Sequence, residues 1–167
     1  GTDIGGLGFA AFAFLGVCAH VRDRRKIVIE PGTDMARYAV FGVLPFADDG
    51  KGRGKTLTKD IIKALEGRGL KTVDPDLMQK EYRKMKGDSF GLTLFSLSTL
   101  RTQTKAEVLI TGSVTAKSFT LLAQELESGD VLVNVSIERR VGSIPDAEVR
   151  ETIMKFLFRE ASDPGQP

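Results

Sequence analysis

The strongest constraint on this chain is the run Val40-Phe41-Gly42-Val43-Leu44-Pro45-Phe46, which contains no polar side chain. A strand with one wet face alternates apolar and polar residues. An unbroken apolar run suits a strand covered on both faces, as in an α/β layer. Residues 47–55 follow as a loop in which Gly50, Gly52 and Gly54 punctuate acids and bases. Beyond it, Leu57, Ile61, Ile62 and Leu65 recur at helical spacing, and Gly67 and Gly69 mark the helix end. Strand, glycine loop and amphipathic helix together make the first half of a parallel α/β unit.

The same stretch offers a phosphate cradle. A P-loop needs a glycine, four residues, then Gly-Lys-Ser/Thr, because that length lets backbone amides wrap the phosphates. Gly54-Lys55-Thr56 supplies the second half. The first glycine belongs where Asp49 stands, and Gly50 comes one position late. Asp48 and Asp49 would also place negative charge beside a polyphosphate. The later apolar strands, Val108-Leu109-Ile110 and residues 131–137, carry no aspartate to hold magnesium. Nucleotide binding through Gly50, Gly54, Lys55 and Thr56 is therefore the alternative reading, and a solvated turn is the simpler one. Lys55→Ala separates them, since it abolishes nucleotide binding in an NTPase and leaves a scaffold folded.

A chain of 167 residues suits one domain with a sizeable core. The net charge of +2 gives no electrostatic argument for a nucleic-acid partner, and the absence of tryptophan argues against a base-stacking surface. Cys18 and His20 are the only cysteine and the only histidine. That excludes an internal disulfide framework and disfavours a Cys/His metal site. No cofactor is expected.

Residues 4–19 carry no charge and are rich in Ala, Gly, Phe and Leu. The tract is shorter than the roughly 20 residues of a membrane-spanning helix and has the size of a signal-peptide core. Leu15-Gly16-Val17-Cys18 resembles a bacterial lipobox, although that motif wants a small residue where Val17 stands. Three readings stay open: a lipid anchor on Cys18, an ordinary export signal or anchor, and a buried helix. Arg22, Arg24, Arg25 and Lys26 follow, a solvated segment or a contact with lipid head groups. A nucleic-acid contact there would show as steep salt dependence. We read residues 1–38 as leader and linker, 39–160 as the folded domain and 161–167 as a polar tail.

Within the domain, residues 70–73 read as a second strand. Asp74-Pro75 is a helix start, with an N-capping acid and proline at the first helical position. Leu77, Met78, Tyr82 and Met85 face one side of this helix, and Lys80, Arg83, Lys84 and Lys86 the other. Residues 89–104 read as a third helix and 107–114 as a strand. Residues 117–125 and 131–138 read as a hairpin, with Val131, Val133, Val135 and Ile137 inward. Residues 143–158 form a last helix. The order β-α-β-α-α-β-β-β-α predicts an α/β domain of the mixed α+β kind, a mixed sheet with helices on its faces.

At this point the chain resembles a group of bacterial envelope proteins. Three segments carry the likeness: Val43-Leu44-Pro45-Phe46, the step Leu70-Lys71-Thr72-Val73-Asp74, and Ala106-Glu107-Val108-Leu109-Ile110-Thr111-Gly112-Ser113-Val114. The group includes the amino-terminal domain of TolB, the curli secretion lipoprotein CsgG and the LpoB lipoprotein that activates a peptidoglycan synthase. The resemblance covers roughly residues 39–141. The chain departs from the pattern at Lys105-Ala106-Glu107, where Gly-Ala-Asp is usual. It also lacks a long alternating hairpin of the curli-pore kind.

The resemblance implies a non-enzymatic protein of the periplasm, anchored to a membrane, the outer membrane being favoured. It would bind other envelope proteins or copies of itself in a secretion pore, a flagellar or trans-envelope ring, or a wall-synthesis regulator. The residues agree insofar as no catalytic constellation is visible. Asp48/Asp49 lie in a charged loop and Asp74/Asp76 start a helix, where solvation and capping account for them. The candidate contact surface is Asp48, Asp49, Lys51, Arg53 and Lys55 in the loop, with the basic face Lys80, Arg83, Lys84 and Lys86. Charge reversal in the loop is expected to impair assembly without unfolding the domain.

Overall fold

A computed structural model describes residues 23–29, 35–85 and 93–158. Seven strands form one mixed sheet in the order β1-β7-β6-β5-β2-β4, with β3 also paired to β5. The strands are β1 Asp23–Ile29, β2 Val40–Val43, β3 Ala47–Asp48, β4 Lys71–Val73, β5 Val108–Val114, β6 Ser118–Glu125 and β7 Val131–Arg139. β2 runs parallel to both β4 and β5, while β5, β6, β7 and β1 pair antiparallel in succession. The helices are α1 Arg53–Gly67, α2 Pro75–Met85, α3 Leu94–Thr104 and α4 Asp146–Leu157. The mixed α/β architecture read from the sequence is the one observed.

The sheet is covered on both faces where its strands are apolar throughout. On one face Leu57, Ile61 and Leu65 of α1 and Val149, Ile153 and Leu157 of α4 pack on Phe41, Val108, Ile110, Phe119, Leu121 and Ile137. On the other, Met78 of α2 and Leu97 and Leu100 of α3 pack on Leu44, Val73, Ala106 and Leu109. Residues 108–110 of β5 are therefore buried on both sides, which is why that run shows no alternation. Met78 is fully buried in the core, while Met85, the second methionine of α2, is half-buried and Leu77 faces out.

Three observations correct the sequence reading. First, the sheet begins inside the stretch taken as linker, since β1 pairs with β7 from Asp23↔Arg139 to Ile29↔Val133. Met35 and Tyr38 also enter the core. Second, the apolar run 40–46 is not a strand throughout: β2 ends at Val43, and pairing with β5 resumes only at Ala47 after a bulge. Val43 stands opposite Ile110 and Ala47 opposite Ser113, so one extra residue is accommodated between them. Pro45, which has no N–H to give a ladder, sits in the break. Third, Val131 is turned outward and Leu132 inward, because the register shifts opposite Ala123 and Gln124.

The three segments that carry the family likeness have structural duties. Leu44 N–H donates to the Ile110 carbonyl (3.0 Å), and Phe46 N–H to Thr58 Oγ1 (2.9 Å), fixing the bulge between β5 and α1. Asp74 caps α2: its Oδ1 accepts from Asp76 N–H (3.1 Å) and its carbonyl from Met78 N–H (2.9 Å). Glu107 Oε1 accepts from Ala39 N–H (2.6 Å) and Val40 N–H (3.1 Å), anchoring the entry to β2. Lys105 has φ 68°, the only positive φ at a non-glycine residue among those described. Glycine suits such a left-handed helix cap best, so lysine is strained there. Gly112 marks close packing, for a Cβ there would meet Thr120 O and Phe46 Cε2 at 2.3 Å.

A part-buried polar link joins residue 38 to the turn after β6. Tyr38 OH donates to Glu125 Oε2 (2.6 Å), and Ser128 Oγ donates to Glu125 Oε1 (2.5 Å). Burial, the hydrogen bond to Glu125 and that residue's charge push the Tyr38 phenol up to about 12. The bonds from Ser128 and Tyr38 hold the Glu125 carboxyl below its ordinary value.

Candidate functional site

The glycine loop is built around the Asp48 carboxylate. Its Oδ1 accepts from Gly50 N–H (2.8 Å) and its Oδ2 from Gly54 N–H (2.8 Å). Gly50 and Gly52 have φ of 88° and 84°, which lets the chain curl round that carboxylate and enter α1. Gly54 is glycine for a different reason. A Cβ there would lie 2.3 Å from the Phe46 carbonyl oxygen and 2.8 Å from Asp48 Oδ2. α1 can approach the β2–β3 bulge this closely only without a side chain at 54.

This geometry bears on the phosphate reading. Gly54, Lys55 and Thr56 lie within the first turn of α1, where a P-loop would also place them, so the placement alone does not decide the question. The amides that a phosphate would use, those of Gly50 and Gly54, already bind the Asp48 carboxylate. A polyphosphate would have to displace a covalently attached anion and then sit beside its charge. Thr56 Oγ1 donates to the Gly52 carbonyl at 3.3 Å. Of the residues expected to cradle a nucleotide, Gly50, Gly54 and Thr56 are engaged in the turn and the helix start, while the Lys55 side chain is exposed.

Arg53 is likewise committed. Nε lies 3.0 Å from Asp146 Oδ1 at the start of α4, and the other two guanidinium nitrogens donate to the carbonyls of Thr115 (3.1 Å) and Ile144 (2.9 Å). Its side chain is only 23% exposed. Arg53 therefore clamps α1 to the segment leading into α4. Neither Asp48 nor Arg53 is a free surface group, which corrects the expectation that they offer charge to a partner.

The other predicted contact residues are dispersed. Lys51 lines a small hollow between α1 and α4 with Arg53, Asp60 and Arg150. Lys55 lines a different cleft on the far side of the loop. Asp49 is exposed, as is Lys80. Arg83 lines a third hollow with Leu44, Pro45 and Tyr82, and Lys84 pairs with Glu81 at 3.2 Å. Lys86 and Cys18 lie outside the described residues, as does His20. Lys55 and Arg83 thus line two hollows that share Pro45, while Lys51 lines another. Among the described residues no helix is long and apolar enough to cross a membrane.

The cleft that Lys55 lines has about 520 Å³ and opens where β2 and β4 end. Pro45, Phe46, Ile62 and Pro75 line it with apolar surface. Lys55 and Lys59 enter from α1, and Asp74 and Asp76 from the start of α2. The sequence reading found Asp48 and Lys55 and missed Lys59, Asp74 and Asp76 as members of one site. The only local signal was the one-turn spacing of the two lysines. Their meeting with residues 74–76 depends on β2 and β4 lying side by side.

No protein-family model matches the chain, and no curated protein matches it. Among solved structures, the chain is similar to the NMR structure of LpoB from E. coli, at 12% identity over 61% of this chain, with a TM-score of 0.43. It spans 58% of that protein's chain. It is similar to the PelC dodecamer from Paraburkholderia phytofirmans at 14% identity, covering 81% of this chain and 95% of that one (TM-score 0.47). Lipoprotein GNA1162 from Neisseria meningitidis shares 10% identity over 77% of this chain and 99% of its own (TM-score 0.46). At such identities the likeness is one of fold. LpoB, named in the sequence resemblance, is among these structures; the links to TolB and CsgG rest on the sequence segments alone.

Proposed function

We propose that this chain is a non-enzymatic envelope protein, exported and held at a membrane through its amino-terminal tract. Its α/β domain binds other envelope proteins or copies of itself within a larger machine. A secretion pore, a trans-envelope or flagellar ring, and a regulator of wall synthesis are the machines the sequence resemblance suggests. The observation that carries the reading is the pairing of an uncharged tract ending near Cys18 with a domain in which several charged groups serve the fold. Asp48, Asp74 and Glu107 bind backbone amides, and Arg53 binds carbonyls. Side chains engaged in this way are poorly placed for acid–base or nucleophilic work, which needs a group free to meet a substrate. Binding through surface complementarity makes no such demand.

The test is the intact mass of the protein extracted from membranes of its own host, followed by crosslinking in those cells. Loss of residues 1–17 with a diacylglycerol-sized increment on Cys18 is the expected result, together with crosslinks to envelope proteins or to itself. An uncleaved, unmodified chain in the soluble cytoplasmic fraction would overturn the proposal.

A further inference from the structure

The crevice at the ends of β2 and β4 has a charge layout that the fold does not use. Lys55 and Lys59 sit one helical turn apart on α1, both exposed, and neither makes an ion pair among the described residues. Opposite them, the Asp76 side chain has no partner among the described residues, and Asp74 engages one oxygen with the Asp76 amide. Asp48, the remaining acid of the lining, has both oxygens on backbone amides. Cations and anions therefore face one cleft without pairing across it, over the apolar surface of Pro45, Phe46, Ile62 and Pro75.

This layout narrows the occupant. An isolated anion drawn to the lysines would meet the carboxylates of Asp74 and Asp76, and an isolated cation would meet Lys55 and Lys59. A ligand carrying both signs, separated by apolar atoms, satisfies both walls at once. The volume of about 520 Å³ lies within the roughly 300–1,000 Å³ of ordinary ligand pockets. We infer that the crevice binds an extended peptide segment of a partner protein, its acidic side chain against Lys55 and Lys59 and its basic side chain against Asp74 and Asp76. The intervening apolar side chains lie on Phe46 and Ile62. The inference rests on the reading of this domain as a protein-binding module and names the chemistry of what it binds.

The experiment titrates the ¹⁵N-labelled full chain in detergent with the peptide acetyl-Glu-Leu-Ala-Lys-amide, reading backbone amide shifts. Saturable shifts are expected at residues 55–62 and 74–79. Affinity should fall about fivefold or more for the peptide with Gln in place of Glu and Lys, for the variant Lys55→Ala/Lys59→Ala, and in about 0.5 M salt. Both lysines are exposed, so the variant's spectrum elsewhere should match the parent and certify its fold. Absence of saturable shifts at those residues overturns the inference, as does equal binding of the Gln peptide or binding untouched by the lysine variant. Free lysine or glutamate binding as tightly as the peptide would assign the crevice to a small zwitterion instead. Concentration-dependent dimers lost in the lysine variant would assign it to a second copy of the chain. Failure of this titration leaves the cellular crosslinks untouched, so the two proposals fail separately.

Discussion

Gly54→Ala tests whether the glycine loop is built for packing. On helix propensity alone, alanine for glycine within a helix stabilises by up to about 1 kcal/mol. The structure predicts the opposite sign. The new Cβ would lie 2.3 Å from the Phe46 carbonyl oxygen, a backbone atom held by the bulge, and 2.8 Å from Asp48 Oδ2. Relief requires α1 to move away from β3. That movement stretches the bond from Gly54 N–H to the Asp48 carboxylate and the buried bond from Phe46 N–H to Thr58 Oγ1. A hydrogen bond to a charged group contributes about 1.5–3 kcal/mol, and a buried donor left unpaired costs about 1–3 kcal/mol. Partial loss of both, less the propensity gain, gives a net destabilisation of about 2 kcal/mol. Urea unfolding followed by circular dichroism reads this directly, with Tm falling by about 4–8 °C. Lys55→Ala, at an exposed neighbour, should stay within about 0.5 kcal/mol of the parent. A Gly54→Ala variant as stable as the parent, or more so, would refute the packing argument and return the loop to a role in binding.

Three further outcomes follow from the same geometry. Arg53→Ala should destabilise by about 2 kcal/mol, because it strips partners from the Thr115 and Ile144 carbonyls and from Asp146; urea midpoints of this variant and of Lys80→Ala, expected near the parent, make the comparison. Lys105→Gly should stabilise by about 1 kcal/mol, since φ 68° strains a lysine and not a glycine; an unchanged or lower Tm would contradict the cap geometry. Tyr38 is raised in the fold from 10.0 to about 12, so its contribution is complete below pH 10 and is lost as pH rises through 12, by about 2 kcal/mol. Tyr38→Phe has no such titration, so the stability gap between parent and variant should shift by that amount between pH 9 and 12. Glu125 has the opposite sign: its pKa is lowered, so its contribution is present above about pH 4.5 and disappears as pH falls through the lower folded value.

Periodicity, caps and turn residues are local, and they made most of the architecture legible in advance. The apolar run at 40–46, the 3.6-residue spacing of Leu57, Ile61 and Leu65, and Asp74-Pro75 each depend on residues within a few positions of one another. The strand–helix alternation then implied parallel strands and a mixed sheet. Local pattern also had blind spots. Asp23–Ile29 carries four charged residues in its first half, so only residues 27–29 read as β-like and the segment passes for linker, because a strand's place at a sheet edge is set by its partner β7 and not by its own composition.

The site was less legible than the fold. Arg53 looked like a surface charge because its partners, Ile144 and Asp146, lie 91 and 93 positions away. Asp48 looked solvated because the amide of Gly54 reaches it only after the loop has curled. The sequence by itself determined most of the strands and helices, since those depend on short-range hydrogen bonding and on the spacing of apolar side chains. Only the tertiary structure decided which charges are consumed by the fold and which are left facing a common cleft. A charge's role is fixed by the groups that come within about 3 Å of it, and those are chosen by how distant elements pack.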